Sequence, residues 1–190
     1  MTVYPATVIR QWRAITADLR NQPQGRLDAP TLFCDPRAMT DTPNRLRRSA
    51  RVLLVDEAGR VLLLRFVIER RSGPYLFWAT PGGEVEPGEE VLAAARRELR
   101  EELGLSLPLE GPVHHASGVF EFRDEVVDNL DAFFLAHFTG GPISLDGVDD
   151  EERAVLRELR WWTADAIEAS PDPVYPPDLA AVVRRLGGTR

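Results

Sequence analysis

The segment from Gly83 to Leu105 holds seven glutamates in the sequence GEVEPGEEVLAAARRELREELGL. Because residues three and four apart lie on one face of an α-helix, Glu98, Glu101 and Glu102 are predicted to share a face in its last turns. Like charges at this spacing repel, and the helix dipole disfavours negative charge near a helix C-terminus. A bound cation would reverse both effects, and carboxylate oxygens suit a hard ion such as Mg²⁺ or Mn²⁺. The segment therefore predicts a loop and a helix that hold a divalent metal ion.

The same residues resemble the signature of the Nudix hydrolase family, G-x5-E-x7-R-E-U-x-E-E-x-G-U, in which U is a bulky aliphatic residue. The chain matches each fixed position, with Gly83, Glu89, Arg97, Glu98, Leu99, Glu101, Glu102, Gly104 and Leu105. So many fixed positions at fixed spacing are far more specific than a single glycine motif. The alternative is a solvated helix whose glutamates pair with neighbouring arginines. That alternative leaves the flanking glycines and the full spacing unexplained.

The resemblance implies a role for each part of the signature. The implied metal ligands are the backbone carbonyl of Gly83 and the carboxylates of Glu98, Glu101 and Glu102. Glu98 either binds the ion or orients the attacking water. Glu89 is expected to support the loop, and in the family this residue sometimes contributes to metal binding. Arg97 is expected to be an internal counter-ion that fixes the carboxylates, with Glu101 available to it at (i, i+4).

The reaction implied by the resemblance is hydrolysis of the pyrophosphate bond of a nucleoside diphosphate linked to another group. Water attacks one phosphorus, while Mg²⁺ or Mn²⁺ neutralises phosphate oxygens and lowers the pKa of bound water. The implied catalytic residues are Glu98, Glu101 and Glu102. The implied partner is a small nucleotide-type diphosphate substrate.

Two other functions stay open at the level of the sequence. One is a nucleotide-sensing domain without turnover, although such domains usually show broken signatures and every carboxylate is present here. The other is an isomerase of prenyl diphosphates, which shares the fold but needs a cysteine in the core of the domain. Cys34 is the sole cysteine and precedes the predicted strands, so hydrolysis is favoured. A single cysteine also excludes an internal disulfide.

Members of the family often use a further acidic residue from outside the helix as a metal ligand or general base. The acidic loop ahead of Trp161 makes Glu152 the first candidate, with Glu151 beside it. Alternatives near the preceding strand pair are Glu121, Glu125, Asp128 and Asp131. A solvated loop charge remains an alternative for each of them, and it is the expected state of Glu84 and Glu86.

Composition and charge limit the classes of partner that the chain is expected to bind. The chain has 190 residues, enough for one domain with a substantial core, and a formal net charge of -7. Nucleic-acid binding needs a basic footprint, so no nucleic-acid partner is expected. No apolar run approaches about 20 residues and no signal-peptide core is present, which predicts a soluble, cytoplasmic protein without a membrane partner.

The chain is expected to divide into three regions. Residues 1–44 form an N-terminal extension, partly helical or disordered, unless translation begins at Met39. Within it, residues 6–20 carry apolar side chains at helical spacing and could dock on the domain or on a second subunit of a homodimer. Residues 45–170 form the Nudix hydrolase domain. Residues 171–190 form a C-terminal helix that closes the domain.

The apolar pattern from residue 49 onward predicts strands and helices in irregular alternation. The predicted strands are 51–55, 61–67, 75–80, 117–122, 130–138 and 156–163, the predicted helices are 89–103 and 177–186, and 140–150 is a predicted loop. Gly104 is expected to end the first helix in the left-handed conformation. Phe77 and Trp78 are expected to face opposite sides of the sheet, with core packing favoured over stacking on a base. The alternation indicates a mixed β-sheet flanked by helices, an α/β (α+β) fold, and the resemblance implies an α/β/α sandwich.

Overall fold

A mixed β-sheet forms the centre of the molecule. The computed structural model describes residues 44–70, 73–122, 125–148 and 150–187, and the predictions for residues 1–43 lie outside them. The strands within these ranges are β1 (Arg45–Asp56), β2 (Val61–Arg70), β3 (Gly73–Ala79), β4 (Gly82–Glu84), β5 (Glu110–Phe122), β6 (Glu125–Phe138), β7 (Leu156–Trp162) and β8 (Val174–Tyr175). Their order is β5-β6-β1-β2-β3-β8, with β4 pairing with β1 and β7 with β2. β1 runs parallel to β6 and β3 parallel to β8, and the other pairs are antiparallel.

Helices cover both faces of this sheet. They are α1 (Val91–Leu103), α2 (Asp150–Val155), α3 (Ala164–Glu168) and α4 (Leu179–Gly187). One core packs α1 against the sheet through Ala94, Ala95, Leu99 and Leu103, all at most 1% exposed. The other core packs α3 and α4 on the opposite face through Ile167, Leu179, Val182 and Val183. The predicted three-layer α/β arrangement is therefore confirmed.

The aromatic pair in β3 contributes to both cores. Phe77 belongs to the core under α1, and Trp78 belongs to the core under α4. Because successive side chains of a strand point to opposite faces, one dipeptide fills two layers. The prediction that both residues pack in the core is confirmed. No helix in the described ranges is both long and apolar enough to cross a membrane.

Several element boundaries differ from the sequence prediction. β1 begins at Arg45 rather than at residue 51, and β5 and β6 begin earlier than predicted. The first residues of β1 were missed because Arg47 and Ser49 are polar yet buried, so this part of the strand lacks the usual alternation of apolar and polar residues. β4, β8, α2 and α3 were missed because each is too short to show a periodic pattern.

The first helix also begins later than predicted. α1 starts at Val91, after Glu90 in an extended conformation, whereas the sequence predicted a start at Glu89. The Glu89 carboxylate instead accepts the backbone N–H of Glu86 at 3.0 Å, which stabilises the turn before the helix. The helix ends as predicted, since Gly104 has φ 67°, in the left-handed region, and its N–H donates to the carbonyl of Arg100.

Candidate active site

The glycine strand β4 is held tightly between β1 and α1. Gly82 pairs with Arg51 and Gly83 with Ala50 in antiparallel register. Gly82 has φ 130°, and a Cβ at this position would lie 2.3 Å from the carbonyl oxygen of Ala50, so only glycine fits. Its N–H donates to Oε2 of Glu102 at 2.7 Å, which connects the strand to the helix. The register therefore sets Gly83 beside the acidic face of α1.

The three signature glutamates at the end of α1 differ in their surroundings. Glu98 and Glu102 are each 1% exposed, because they lie on the helix face that carries Leu99 and Leu103 into the core. The side chain of Glu101 is 40% exposed. The helix thus offers two buried carboxylates and one at the protein surface.

Arg97 connects these carboxylates to the loop. Its guanidinium donates to Glu89 at 3.0 Å, to Glu98 at 2.9 Å and to Glu101 at 3.1 Å. It also donates to the backbone carbonyl of Glu84 at 3.1 Å. The predicted contact with Glu101 is formed, and the arginine also bonds to the loop that Glu89 supports.

The pKa values reflect this network. Burial by itself would lower the pKa of Arg97, but the Glu89 and Glu98 carboxylates raise it above its usual value. The hydrogen bond from Arg97 lowers the pKa of Glu89. Burial raises the pKa of Glu98 to about 7, an effect that Arg97 opposes and Glu101 reinforces. Glu98 is therefore poised to exchange a proton near neutral pH.

The residues of this site fit a hard divalent cation. Oε2 of Glu98 is buried and has no hydrogen-bond partner among the described residues, so one oxygen of this buried carboxylate lacks a donor there. The other acidic groups, Glu101 and Glu102, supply oxygen atoms, which Mg²⁺ and Mn²⁺ prefer. Within the described ranges, no three Asp, Glu, His or Cys side chains are already gathered closely enough to enclose an ion. In this arrangement the Glu101 carboxylate is paired with Arg97.

The acidic candidates outside the helix fall into two groups. Asp131 is buried, and its carboxylate accepts from Arg51 at 3.1 Å and from the side chains of Asn129 and Tyr175, so its oxygens are engaged in structure. Asp128 accepts from Asn44 at 3.0 Å. Glu151 and Glu152 belong to α2, but their side chains lie outside the described part, as do those of Glu121 and Glu125. The choice of Glu152 or Glu151 as an extra base or ligand stays a prediction.

β1 carries a basic face, formed by Arg45, Arg47 and Arg51, that was not predicted from the sequence. Glu84, expected to be a solvated loop charge, instead accepts from Arg45 at 2.9 Å and from Arg47 at 3.3 Å. Arg51 donates to the carbonyl oxygens of Thr80 at 3.2 Å and Gly82 at 3.4 Å. The spacing of arginines two and four residues apart in RLRRSAR was the available signal, since such residues share one face of a strand.

Comparison with known proteins shows the family of the chain. The family model of the NUDIX domain matches residues 45–186. The chain belongs to the Nudix hydrolase family. This Nudix hydrolase is 33% identical over 139 residues to the uncharacterized Nudix hydrolase YfcD of Salmonella typhi, which covers 73% of this chain and 70% of the relative.

Two further comparisons concern activity and fold. The isopentenyl-diphosphate Delta-isomerase of Nocardia farcinica is 34% identical over 146 residues, 74% of this chain and 79% of that relative. The crystal structure of the MutT protein from Methanosarcina mazei Go1 aligns with a TM-score of 0.55 at 20% identity, over 78% of this chain and 99% of that chain. The family predicted from the signature is confirmed. Nudix hydrolases are generally pyrophosphohydrolases of small nucleotide-type substrates that use divalent metal ions.

Proposed function

We propose that this Nudix hydrolase cleaves the pyrophosphate bond of a nucleoside diphosphate linked to another group, in a reaction that depends on Mg²⁺ or Mn²⁺. The proposed metal ligands are the carbonyl of Gly83 and the carboxylates of Glu98, Glu101 and Glu102. The observation that carries the proposal is Oε2 of Glu98, which is buried and, within the described part of the chain, without a hydrogen-bond partner, on the helix face next to the glycine strand. A bound divalent ion would supply charge neutralisation for the phosphate oxygens and a more acidic water.

The chain's own residues then have separate tasks. Glu102 holds the glycine strand through the N–H of Gly82, so the carbonyl of Gly83 is presented in a fixed orientation. Arg97 holds the carboxylates of Glu89 and Glu101 in position through its hydrogen bonds to both. Glu98 orients the attacking water and accepts its proton when it is not a metal ligand. Glu152 or Glu151 remains the proposed additional base or ligand.

A prenyl-diphosphate isomerase is the second candidate, because one relative carries that name. Residues 45–186, which match the family, contain no cysteine, and Cys34 precedes them. Since the isomerase function requires a cysteine in the core of the domain, hydrolysis is the favoured activity. A sensing domain without turnover is disfavoured because the signature is complete. The proposal also includes a cytoplasmic location, a possible homodimer, and no nucleic-acid or membrane partner.

A substrate panel separates these functions. The panel contains nucleotide sugars, dinucleotides, nucleoside triphosphates and isopentenyl diphosphate, each incubated with Mg²⁺ or Mn²⁺ and with a chelator. We expect phosphate or nucleotide release from at least one nucleotide compound, abolished by the chelator. Release that survives chelation would contradict the metal-dependent mechanism. Rearrangement of isopentenyl diphosphate without any hydrolysis would favour the isomerase, and binding without turnover would favour the sensing domain.

A further inference from the structure

A row of buried polar side chains lies beside the glycine strand and outside the signature. Arg47, Ser49 and Arg51 lie on one face of β1, and Asn129 and Asp131 lie on the same face of β6. In the parallel register of these strands, Arg47 is paired with Asn129 and Ser49 with Asp131. None of the five is more than 2% exposed. So many buried polar groups on one sheet face carry a desolvation cost that hydrogen bonds must offset.

Among the described residues, the contacts of Arg47 leave one of its donor groups without an acceptor. Its Nη1 donates to Oδ1 of Asn129 at 2.7 Å, and its Nε donates to Oε2 of Glu84 at 3.3 Å. Its Nη2 is buried and has no hydrogen-bond partner within the residues that the structure describes. A buried charged donor without an acceptor is costly, so this nitrogen marks a position where an oxygen atom would be stabilising.

The electrostatics of Arg47 indicate the sign of the missing group. Burial lowers the pKa of the Arg47 guanidinium; the Glu84 carboxylate opposes that shift, and the Arg51 cation adds to it. The charged form of Arg47 is thus not fully compensated by its present neighbours. A negatively charged oxygen at Nη2 would compensate it, and guanidinium groups bind phosphate oxygens with strong, directional hydrogen bonds.

The position of Arg47 connects it to the candidate active site. Glu84, which accepts from Arg47, follows Gly83 in β4, and its backbone carbonyl accepts from Arg97. We propose that Nη2 of Arg47 binds a phosphate oxygen of the substrate, on a phosphoryl group other than the one attacked by water. This inference rests on the proposed function, because it requires the diphosphate of the substrate to reach from the acidic face of α1 to the side chain of Arg47 on β1. Arg47 is then a binding residue for substrate.

The test measures binding of inorganic pyrophosphate in the presence of Mg²⁺ by isothermal titration calorimetry. Arg47→Met keeps the length of the side chain and removes its donors, so we expect affinity to fall at least about tenfold, the loss of one charge-assisted hydrogen bond. In the hydrolysis of a substrate found by the panel, we expect KM to rise by a larger factor than kcat falls. Arg48→Met is the matched control: it changes an exposed arginine on the other face of β1, and its affinity should remain that of the wild type.

A second variant keeps the test decisive if Arg47→Met does not fold. Arg47→Lys keeps the charge and the aliphatic stem, but one amine cannot reach Glu84, Asn129 and a phosphate together, so we expect binding at least about threefold weaker. Unchanged pyrophosphate affinity in a folded Arg47 variant would overturn the inference and assign Arg47 a purely structural role. Failure of the proposed function would show differently, as wild-type protein that releases no phosphate from any panel compound.

Discussion

Glu98 differs from an exposed glutamate in three properties. It is 1% exposed, one of its oxygens accepts from Arg97, and the other has no hydrogen-bond partner among the described residues. Burial raises its pKa to about 7, so in the metal-free protein it holds a proton under conditions in which an exposed glutamate is ionised. Since a metal ligand must be deprotonated, the proposed role of Glu98 as a ligand would couple proton release to metal binding at this residue.

This coupling predicts a pH dependence of metal affinity. Between about pH 5 and pH 7, binding of Mn²⁺ must displace the proton of Glu98, so affinity should rise by up to about tenfold per pH unit and level off above pH 8. Titration calorimetry in two buffers of different ionisation enthalpy should show about one proton released at pH 6. Glu98→Gln should remove both the proton release and the slope. Equal affinity at pH 6 and pH 8 in the wild type would contradict this account of Glu98.

The raised pKa of Glu98 also makes the free energy of unfolding depend on pH. The pKa of Glu98 is raised by folding, so the metal-free native state binds more protons than the unfolded chain between the ordinary value of 4.5 and about 7. The contribution of this group to the free energy of unfolding therefore decreases as pH rises through that window. Glu89 and Asp56 have lowered pKa values, and their contributions are lost only as pH falls through more acidic values.

At the scale of elements, β4 is a three-residue strand fixed from both sides. β1 binds it through backbone pairing, through the contacts of Arg45 and Arg47 with Glu84, and through Arg51 with the carbonyl of Gly82. α1 binds it through Glu102 and Arg97. The glycine strand thus has little freedom, which would suit the proposed role of the Gly83 carbonyl as a metal ligand.

Substitution of Gly82 tests this close packing. A Cβ at Gly82 would lie 2.3 Å from the Ala50 carbonyl oxygen and 2.6 Å from the Cα of Arg51, at a φ of 130° that other residues rarely adopt. Gly82→Ala should lower the free energy of unfolding by on the order of 3 kcal/mol and reduce hydrolysis. Gly88→Ala is the control, because Gly88 also has positive φ but a Cβ there would meet no atom within 4 Å, so strain of about 1 kcal/mol is expected. Urea unfolding measures both, and equal losses would contradict the role assigned to the contact with β1.

The acidic helix and the fold class were accessible from the sequence, whereas the basic face of β1 was not. The glutamates of α1 are close in the chain, so helical periodicity placed them together, and the spacing of Gly83 and Glu89 completed a specific pattern. Arg47 and Asn129 are far apart in sequence and meet only through the parallel pairing of β1 and β6. No local rule predicts such a register, and a strand that begins with alternating arginines has the composition of a solvated segment.

In the whole molecule, the candidate active site lies where helix α1 meets the central sheet. α1 covers one face of the sheet, α3 and α4 cover the other, and β4 joins the helix to the middle strand β1. Tyr175, from the C-terminal part, donates to Asp131, which in turn accepts from Arg51 beside Gly82. The C-terminal region is therefore connected to the site by side-chain contacts. The predicted domain limits at residues 44 and 170 stay predictions.

Mn²⁺ binding by the double variant Glu101→Gln, Glu102→Gln tests directly whether the acidic face of α1 holds the metal used in hydrolysis. Electron paramagnetic resonance would count bound Mn²⁺, and the turnover of a panel substrate would be measured on the same samples. We expect the variant to keep its fold by circular dichroism, to lose Mn²⁺ binding and to fall in turnover by at least about a hundredfold. A folded double variant that binds Mn²⁺ and hydrolyses substrate like the wild type would contradict it.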